Sequence, residues 1–289
     1  MYLQLVVSGL AIGSMYSLVA LGFNITYATS RTVNFSQGQS VMLGAVAAYV
    51  AHVTWGWPLA AALLLSLLAL GAFGILVERV AVRPFFRSAS IAWLLSTIAV
   101  GIIAENVVMV AFGKDARAFP SPLTVRPVTI LGAGVYAQEV LLPFVGLALM
   151  LGVELAFRRT LFGKALRAVA FSHDAARLMG INVNRAIAAS YALSSALAGV
   201  AGILIAPLLN VSATMGNVFG LKAFAVAIIG GIESPAGIIA AGLLYGVFES
   251  LVSGALGTGV REILGFALVI LVLLARPWGL FGSPAVRRV

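Results

Sequence analysis

Long apolar runs separated by short polar segments are the main pattern of this chain. An α-helix rises about 1.5 Å per residue, so about 20 apolar residues cross the roughly 30 Å hydrocarbon layer of a bilayer. The pattern predicts an all-α polytopic membrane protein with about eight or nine transmembrane segments, including short or broken helices. The predicted spans are 5–28, 36–53, 58–77, 91–112, 139–157, 186–209, 219–232, 236–256 and 261–276.

Four segments depart from this regular alternation. The runs at 36–53 and 219–232 give the weakest span signals, and the second is short enough to be re-entrant. Segment 113–138 contains Pro and Gly and is expected to form an external cap or a short hairpin. Segment 158–185 is basic and is expected to be helical. We interpret residues 1–289 as a single transmembrane domain.

Composition supports a membrane protein over a soluble one. Apolar residues make up 62% of the chain and charged residues 9%, whereas soluble domains carry about 25% charged residues. The net charge of +9 comes from basic residues gathered in a few short loops. We interpret this clustering as a topology signal rather than as a nucleic-acid surface. The absence of cysteine excludes disulfides and thiolate metal sites.

The basic residues also predict an orientation, because short cytoplasmic loops are enriched in Lys and Arg. With the N-terminus outside, the inner segments hold 13 basic residues and the outer segments hold 5. The C-terminus is then cytoplasmic. The inner residues are Arg31, Arg79, Arg83, Arg87, Arg158, Arg159, Lys164, Arg167, Arg177, Arg185, Arg276, Arg287 and Arg288. The outer residues are Lys114, Arg117, Arg126, Lys222 and Arg261.

No recognisable catalytic constellation occurs in the chain. The sequence lacks HExxH, GxSxG and the phosphate-binding GxxxxGK[ST] motif. His52 and His173 are expected on opposite membrane faces. We predict no enzymatic activity, no metal and no cofactor. Energy for transport must come from a partner, unless transport is ion-coupled or passive, and an intramembrane enzyme is disfavoured.

A capped helix is predicted within segment 158–185. Asp174, Ala175, Ala176 and Gly180 form a D-A-A-x-x-x-G pattern. Ser172 is suited to cap the helix N-terminus, and Gly180 is suited to end the helix in the left-handed conformation. Permeases of ATP-binding cassette (ABC) importers present such a helix to an ATPase subunit. The alternative is an ordinary capped loop helix.

Two breaks in the apolar runs are candidates for a translocation path. Polar or strained backbone at membrane depth must be satisfied by protein or by water. One break contains the amides Asn34 and Gln37, followed by Gly38. The other spans 230–237 and contains Gly230, Gly231 and Pro235. A simple tight loop is an equally good interpretation of the second break.

Charged and small residues inside the spans raise further alternatives. Glu105 and Glu249 lie within predicted spans, where a carboxylate must face protein or water. Each is either part of a proton or sodium relay or a hydrogen-bonded structural group. Glu78 and Glu154 lie beside arginines at inner helix ends and are expected to form ion pairs. The pairs Gly9/Gly13 and Gly242/Gly246 are GxxxG motifs that pack either within the chain or across a dimer.

Several segments resemble one known family in the same order along the chain. They are GLAIGSMYSLVALGFNITYATSRTVNFSQGQSVMLGAVAAY (9–49), RAVAFSHDAARLMGIN (167–182), ALAGVAGIL (196–204), AFAVAIIGGIESPAGIIAAGLLYGVFE (223–249) and RPWGLFG (276–282). Together they are similar to branched-chain amino-acid ABC transporter permeases of the Liv H type. The chain departs from the importer pattern at Asp174, where Glu is usual, and at Ser36 and Gln37, where Ala and His are usual. The Ile-x-Leu-Pro element is missing.

The resemblance implies a set of partners and a location. A permease of this family pairs with a second homologous permease, two cytoplasmic ABC ATPases and an external substrate-binding protein. It lies in the lipid of the bacterial cytoplasmic membrane and forms half of the translocation path. The departures leave open a permease for amides or urea. Glu105, Glu249 and the broken helices leave open an ion-coupled secondary transporter of small solutes.

Overall fold

The described part of the chain is an almost wholly helical bundle. A computed structural model describes residues 2–86, 91–130 and 133–282. The helices are α1 Tyr2–Ser30, α2 Gln37–Tyr49, α3 Leu59–Val77, α4 Ala92–Phe112, α5 Ala137–Arg159, α6 Leu161–Phe171, α7 His173–Leu178, α8 Val183–Leu209, α9 Met215–Gly230, α10 Pro235–Leu256 and α11 Thr258–Ala275.

Two of these helices continue in a different helical geometry. Helix α2 runs on as a π-helix at Val50–Thr54. Helix α3 runs on as a π-helix at Glu78–Val82 and a 3₁₀ turn at Arg83–Phe85. The only strands in the described residues are β1 Pro127–Ile130 and β2 Ala133–Tyr136, which pair antiparallel after a 3₁₀ turn at Pro122–Thr124.

The structure confirms the polytopic all-α prediction. Within the described residues, seven helices are long and apolar enough to cross a membrane: α1, α3 with its extension, α4, α5, α8, α10 and α11. The two spans with the weakest signals correspond to the short helices α2, of 13 residues, and α9, of 16 residues. At about 1.5 Å per residue, α9 is shorter than the hydrocarbon layer is thick.

The two long loops also follow the sequence prediction. Segment 113–138 contains the β1–β2 hairpin, and segment 158–185 contains α6 and α7. Three of the basic residues assigned to the inner side, Arg87, Arg287 and Arg288, lie outside the described residues.

The bundle is built around α1 and α8. Most side chains of these two helices are buried, whereas α3, α4, α5 and α11 bury few of theirs. The outer helices instead expose large apolar side chains, among them Leu64, Leu95, Val110, Phe144 and Leu274. Such an apolar exterior is suited to lipid and not to water.

Glycine permits a close helix crossing between α1 and α10. An ideal Cβ built on Gly9 would lie 2.7 Å from the Cα of Val247, and one on Gly13 would lie 3.1 Å from the Cα of Leu243. Gly242 and Gly246 meet the same stretch of α1 from the other side. The two GxxxG motifs therefore pack against each other within the chain.

Helices α1 and α8 end in the same unusual way. Arg31 follows α1 with a φ of 56°, and Asn210 follows α8 with a φ of 64°. Each of these residues with positive φ begins a short connector that leads to α2 or α9. A further break, at 210–214, therefore precedes α9, and our sequence analysis did not identify it.

Contacts between helix ends define two opposite faces of the bundle. The basic face holds Arg31, which pairs with Glu233, and His173, whose ring nitrogen lies 2.8 Å from the Thr29 carbonyl oxygen. The hairpin face holds His52, whose ring stacks on Phe119. His52 and His173 thus lie on opposite faces, as predicted.

Candidate translocation and coupling sites

The side chain of Asn34 closes the turn that precedes α2. Its Oδ1 accepts hydrogen bonds from the Ser36 backbone N–H, at 3.1 Å, and from Ser36 Oγ, at 2.6 Å. Asn34 is fully buried. The amide that suggested a path therefore bonds the backbone and the side chain of Ser36 within the turn.

Gln37 attaches the first turn of α2 to α8. Its Nε2 donates to the Ser194 carbonyl oxygen at 3.0 Å, and its Oε1 accepts from Ser194 Oγ at 3.0 Å. Gln37 is also fully buried. Both ends of the side-chain amide are bonded within the protein, so Gln37 anchors the break and does not line the cavity described next.

A cavity of about 390 Å³ lies between α1, α2, α4 and α9. Of the predicted path residues, Gly38 lines it. Gly38 lets α2 and α9 approach at their N-terminal ends, because an ideal Cβ there would lie 2.8 Å from the Cα of Gly220. The walls are mainly apolar, and the polar side chains among them are Gln39 and Asn217. The apolar wall residues are Phe23, Phe35, Ile98, Ile102, Leu221 and Phe224.

A polar bridge of three side chains, Gln39, Glu105 and Asn217, joins α2, α4 and α9 at this cavity. Gln39 Nε2 donates to Asn217 Oδ1 at 2.6 Å and to Glu105 Oε2 at 3.4 Å. Asn217 Nδ2 lies 2.9 and 3.0 Å from the two Glu105 oxygens. Glu105 is half-buried and Asn217 is exposed, so the bridge is open to the surroundings of this chain.

The second intramembrane carboxylate has a different environment. Glu249 is buried and lies 2.7 Å from Lys222 Nζ. Its other oxygen accepts a hydrogen bond from Tyr16 at 3.1 Å. The Lys222–Glu249 contact is a charge pair without aligned hydrogen-bond geometry. Glu262, 4.0 Å from Lys222, adds a weaker charge contact.

The placement of Lys222 corrects the sequence analysis. We assigned this lysine to the outer segments, but it lies inside α9, and its side chain is 1% exposed. A lysine within an apolar run predicts a buried acidic partner, because an unpaired charge is costly at membrane depth. Lys222 within the apolar run 219–232 is such a signal, and our sequence analysis did not use it to predict an acidic partner.

The turn at 230–237 is closed by the C-terminal segment. Gly231 has a φ of +87°, and an ideal Cβ on it would lie 2.7 Å from the Gly282 backbone nitrogen. The backbone N–H of Leu280 donates to the carbonyl of the residue before Gly230, at 2.7 Å. Pro235 begins α10, where Ser234 Oγ accepts from the Gly237 N–H at 3.2 Å. This segment lies on the basic face, away from the polar bridge.

Helix α7 has the caps that the D-A-A-x-x-x-G pattern predicted. Ser172 Oγ accepts a hydrogen bond from the Ala175 N–H at 3.3 Å. Gly180, with a φ of +79°, ends the helix in the left-handed region. Ala176 is buried in an apolar cluster with residues of α3, α6 and α8. Packing and the His173 contact to α1 therefore attach α7 firmly to the bundle.

The outer side of α7 is open. Asp174 and Ala175 are exposed, and Asp174 pairs with Arg177 at 3.1 Å. Leu178 and Met179 are 89% and 81% exposed. Two large apolar side chains beside a small one form a surface suited to another protein, and they lie at the basic face rather than along the lipid-facing helices.

Ion pairs fix the helix ends around α7. Arg83 holds Glu78 with two hydrogen bonds of 2.9 and 2.8 Å, and Arg158 holds Glu154 at 2.6 Å, as the sequence analysis expected. Arg31 pairs with Glu233. Partial burial acts to lower the pKa of Arg31, but the hydrogen bond and charge of Glu233 outweigh it and raise that pKa above its usual value.

Within the described residues, seven helices long and apolar enough to cross a membrane, together with the short helices α2 and α9, define a polytopic helical membrane protein. The sequence matches the family described as branched-chain amino acid transport system / permease component over residues 5–273. The chain belongs to this family.

Curated relatives cover all or most of the chain. The high-affinity branched-chain amino acid transport system permease protein BraD of Pseudomonas aeruginosa is 34% identical, covering 100% of this chain and 98% of the relative. LivH of Escherichia coli K12, with the same description, is 33% identical over the same shares. A probable branched-chain amino acid transport permease protein LivH of Methanocaldococcus jannaschii is 30% identical, covering 92% of this chain and 88% of the relative.

A solved structure shares the fold. The structure described as PsaBC from Streptococcus pneumoniae in complex with Fab aligns with a TM-score of 0.50 at 15% identity. The alignment covers 93% of this chain and 89% of the other.

The Lys222–Glu249 pair generates a stability prediction. Lys222→Met leaves a buried carboxylate without its counter-charge, so we expect the free energy of unfolding to fall by about 3–5 kcal/mol. Replacing both partners, as Lys222→Met with Glu249→Leu, should restore most of the loss. Denaturant titration in detergent measures the effect. Arg158→Gln, which breaks an exposed pair, is the control and should change stability by less than about 0.5 kcal/mol. Wild-type stability in Lys222→Met would contradict a buried charge pair.

Proposed function

We propose that this chain is the permease subunit of an ABC importer for branched-chain or related amino acids, in which it forms half of the translocation path. The observation that carries the proposal is α7. Its caps set its length, its buried face packs on the bundle, and its outer face presents Ala175, Leu178 and Met179. An ATPase subunit docked there would push on α1, α3 and α8 together.

The cavity supports an apolar amino acid as substrate. The relatives named above are branched-chain amino acid permeases, and the cavity walls of this chain are aromatic and aliphatic. Such walls favour an aliphatic side chain through the hydrophobic effect. Urea or a short amide would gain little from them, because neither has an apolar group of comparable size.

The environment of Glu249 argues against the ion-coupled alternative. A carboxylate that carries protons or sodium must exchange its partner during transport. Glu249 is instead held by Lys222 and Tyr16 in a buried setting. We assign it a structural role, in which it ties α9 to α10 and α1.

The proposed assembly places each partner on a particular surface. A second permease covers the open side of the polar bridge, because Glu105 and Asn217 would be costly against lipid. Two ABC ATPases bind the basic face through α7. An external binding protein docks on the hairpin face. The membrane is the bacterial cytoplasmic membrane, with the N-terminus outside and the C-terminus inside.

Sidedness is testable because the chain has no native cysteine. Lys114 and Lys164 are exposed lysines on the hairpin face and the basic face respectively. We expect an impermeant thiol reagent added to whole spheroplasts to label Lys114→Cys and to leave Lys164→Cys unlabelled until the membrane is opened. The reverse labelling would invert the orientation and place α7 outside the cell.

Coupling through α7 is tested at Gly180. An ideal Cβ there meets no atom within 4 Å, so a substitution acts through the backbone alone. Valine is strongly disfavoured at a φ of +79°, whereas asparagine tolerates it. In reconstituted vesicles, Gly180→Val should reduce ATP-driven uptake at least about tenfold, and Gly180→Asn should retain most of it. Equal, wild-type uptake in both variants would show that α7 geometry does not couple.

A further inference from the structure

We propose that Gln39, Glu105 and Asn217 bind the ammonium group of an amino acid at membrane depth, with its aliphatic side chain held by the apolar walls of the same cavity. This inference rests on the proposed function and adds a substrate-binding site of named residues to it. It assigns Glu105, for which the sequence analysis left a relay or a structural role open.

One acceptor at the site, Gln39 Oε1, has no hydrogen-bond partner among the described residues. Gln39 itself is only 6% exposed. This oxygen lies beside Gly216, where an ideal Cβ would be 2.8 Å away. Both residues line the cavity. A buried acceptor without a donor is costly, and an ammonium group supplies the missing donor.

The charge of the site is also uncompensated. Among the described residues, no Lys or Arg lies within ion-pair distance of Glu105. The hydrogen bonds that it accepts come from the neutral amides of Asn217 and Gln39. Each amide belongs to the third residue of its helix, α9 or α2. The positive ends of two helix dipoles therefore lie beside a carboxylate that has no cation next to it in the described chain.

The other intramembrane carboxylate provides the contrast. Glu249 has a lysine at 2.7 Å and is closed off from the surroundings. Glu105 has amides in place of a lysine and is half-open. A carboxylate inside α4 that is open on one side needs water or a ligand there. Among the two intramembrane carboxylates of the described residues, Glu105 is therefore the one that a cationic group from a ligand would stabilise.

The remaining walls match the rest of such a ligand. Ile98, Ile102, Leu221 and Phe224 line the cavity beside the bridge. A volume of about 390 Å³ accommodates an amino acid with a branched aliphatic side chain. Ammonium at the bridge and an aliphatic group against these walls would be bound together.

The test uses a single cysteine beside the bridge in the full importer. Gly101 lines the cavity, and an ideal Cβ there lies 3.5 Å from Gln39 Cγ, an ordinary contact, so Gly101→Cys fits. The importer is assembled in vesicles and labelled with an ammonium reagent, 2-aminoethyl methanethiosulfonate, or an anionic one, 2-sulfonatoethyl methanethiosulfonate. Labelling is followed by the mass of this chain.

We expect Glu105→Gln to lower the ratio of ammonium to sulfonate labelling rates by about tenfold or more, because one charge near the thiol is removed. Glu105→Asp, which keeps the charge, should retain most of the ratio. Asn106→Ala is the matched control, since Asn106 is exposed and donates only to the Ile102 carbonyl of its own helix. It should leave the ratio unchanged.

Ligand protection gives a second readout. L-leucine and 3-methylbutan-1-amine should slow labelling of Gly101→Cys, whereas 4-methyl-2-oxopentanoate, which lacks the ammonium group, should not. Glu105→Gln should abolish the protection. Three results would each overturn the ammonium site while leaving the aqueous path intact. They are an unchanged rate ratio in Glu105→Gln, equal protection by the oxo acid, and protection by sodium ions alone.

A different result would contradict the proposed function as well. If neither reagent reaches the cysteine, this cavity is not part of the path.

Discussion

The close approach of α2 and α9 at Gly38 is the constraint on which the rest of the site depends. An ideal Cβ on Gly220 would lie 2.7 Å from the Cα of Gly38, so these helices touch through backbone. The contact brings two helix N-termini together inside the bundle, where their free N–H groups and dipoles favour negative charge. Glu105 of α4 meets these ends through Gln39 and Asn217. Without glycine at the crossing, the two amides would stand too far apart to share one carboxylate.

The polar side chains at membrane depth fall into two kinds, those whose partners lie within the protein and those that can still bind a further group. The side-chain amides of Asn34 and Gln37 form hydrogen bonds with Ser36 and Ser194, and Glu249 forms an ion pair with Lys222. These contacts hold the break and the short helices in position, because polar groups at membrane depth must find partners within the protein. Glu105 and Gln39 Oε1 retain unused capacity. These two groups, which can still accept hydrogen bonds, mark the proposed ammonium-binding site.

The sequence predicted features that depend on local chemistry. Apolar run length located the seven spanning helices, and Ser172 and Gly180 marked the ends of α7. Features that depend on which helices meet were not predictable. Lys222 and Glu249 are far apart in sequence, and nothing local pairs them. The polarity of Asn34 and Gln37 suggested a water-lined path, but their partners became visible only in the folded chain. The positive φ of Asn210 was missed because asparagine is also common in ordinary loops.

ATP-driven uptake by a defined assembly tests the central claim most directly. The chain would be reconstituted in vesicles with its ATPase subunits, its second permease and the binding protein, and L-leucine uptake measured without any ion gradient. The account predicts uptake that requires ATP on the side of the basic face and that disappears when the ATPases are omitted. Uptake by the chain without ATPases, driven by a proton or sodium gradient, would contradict it.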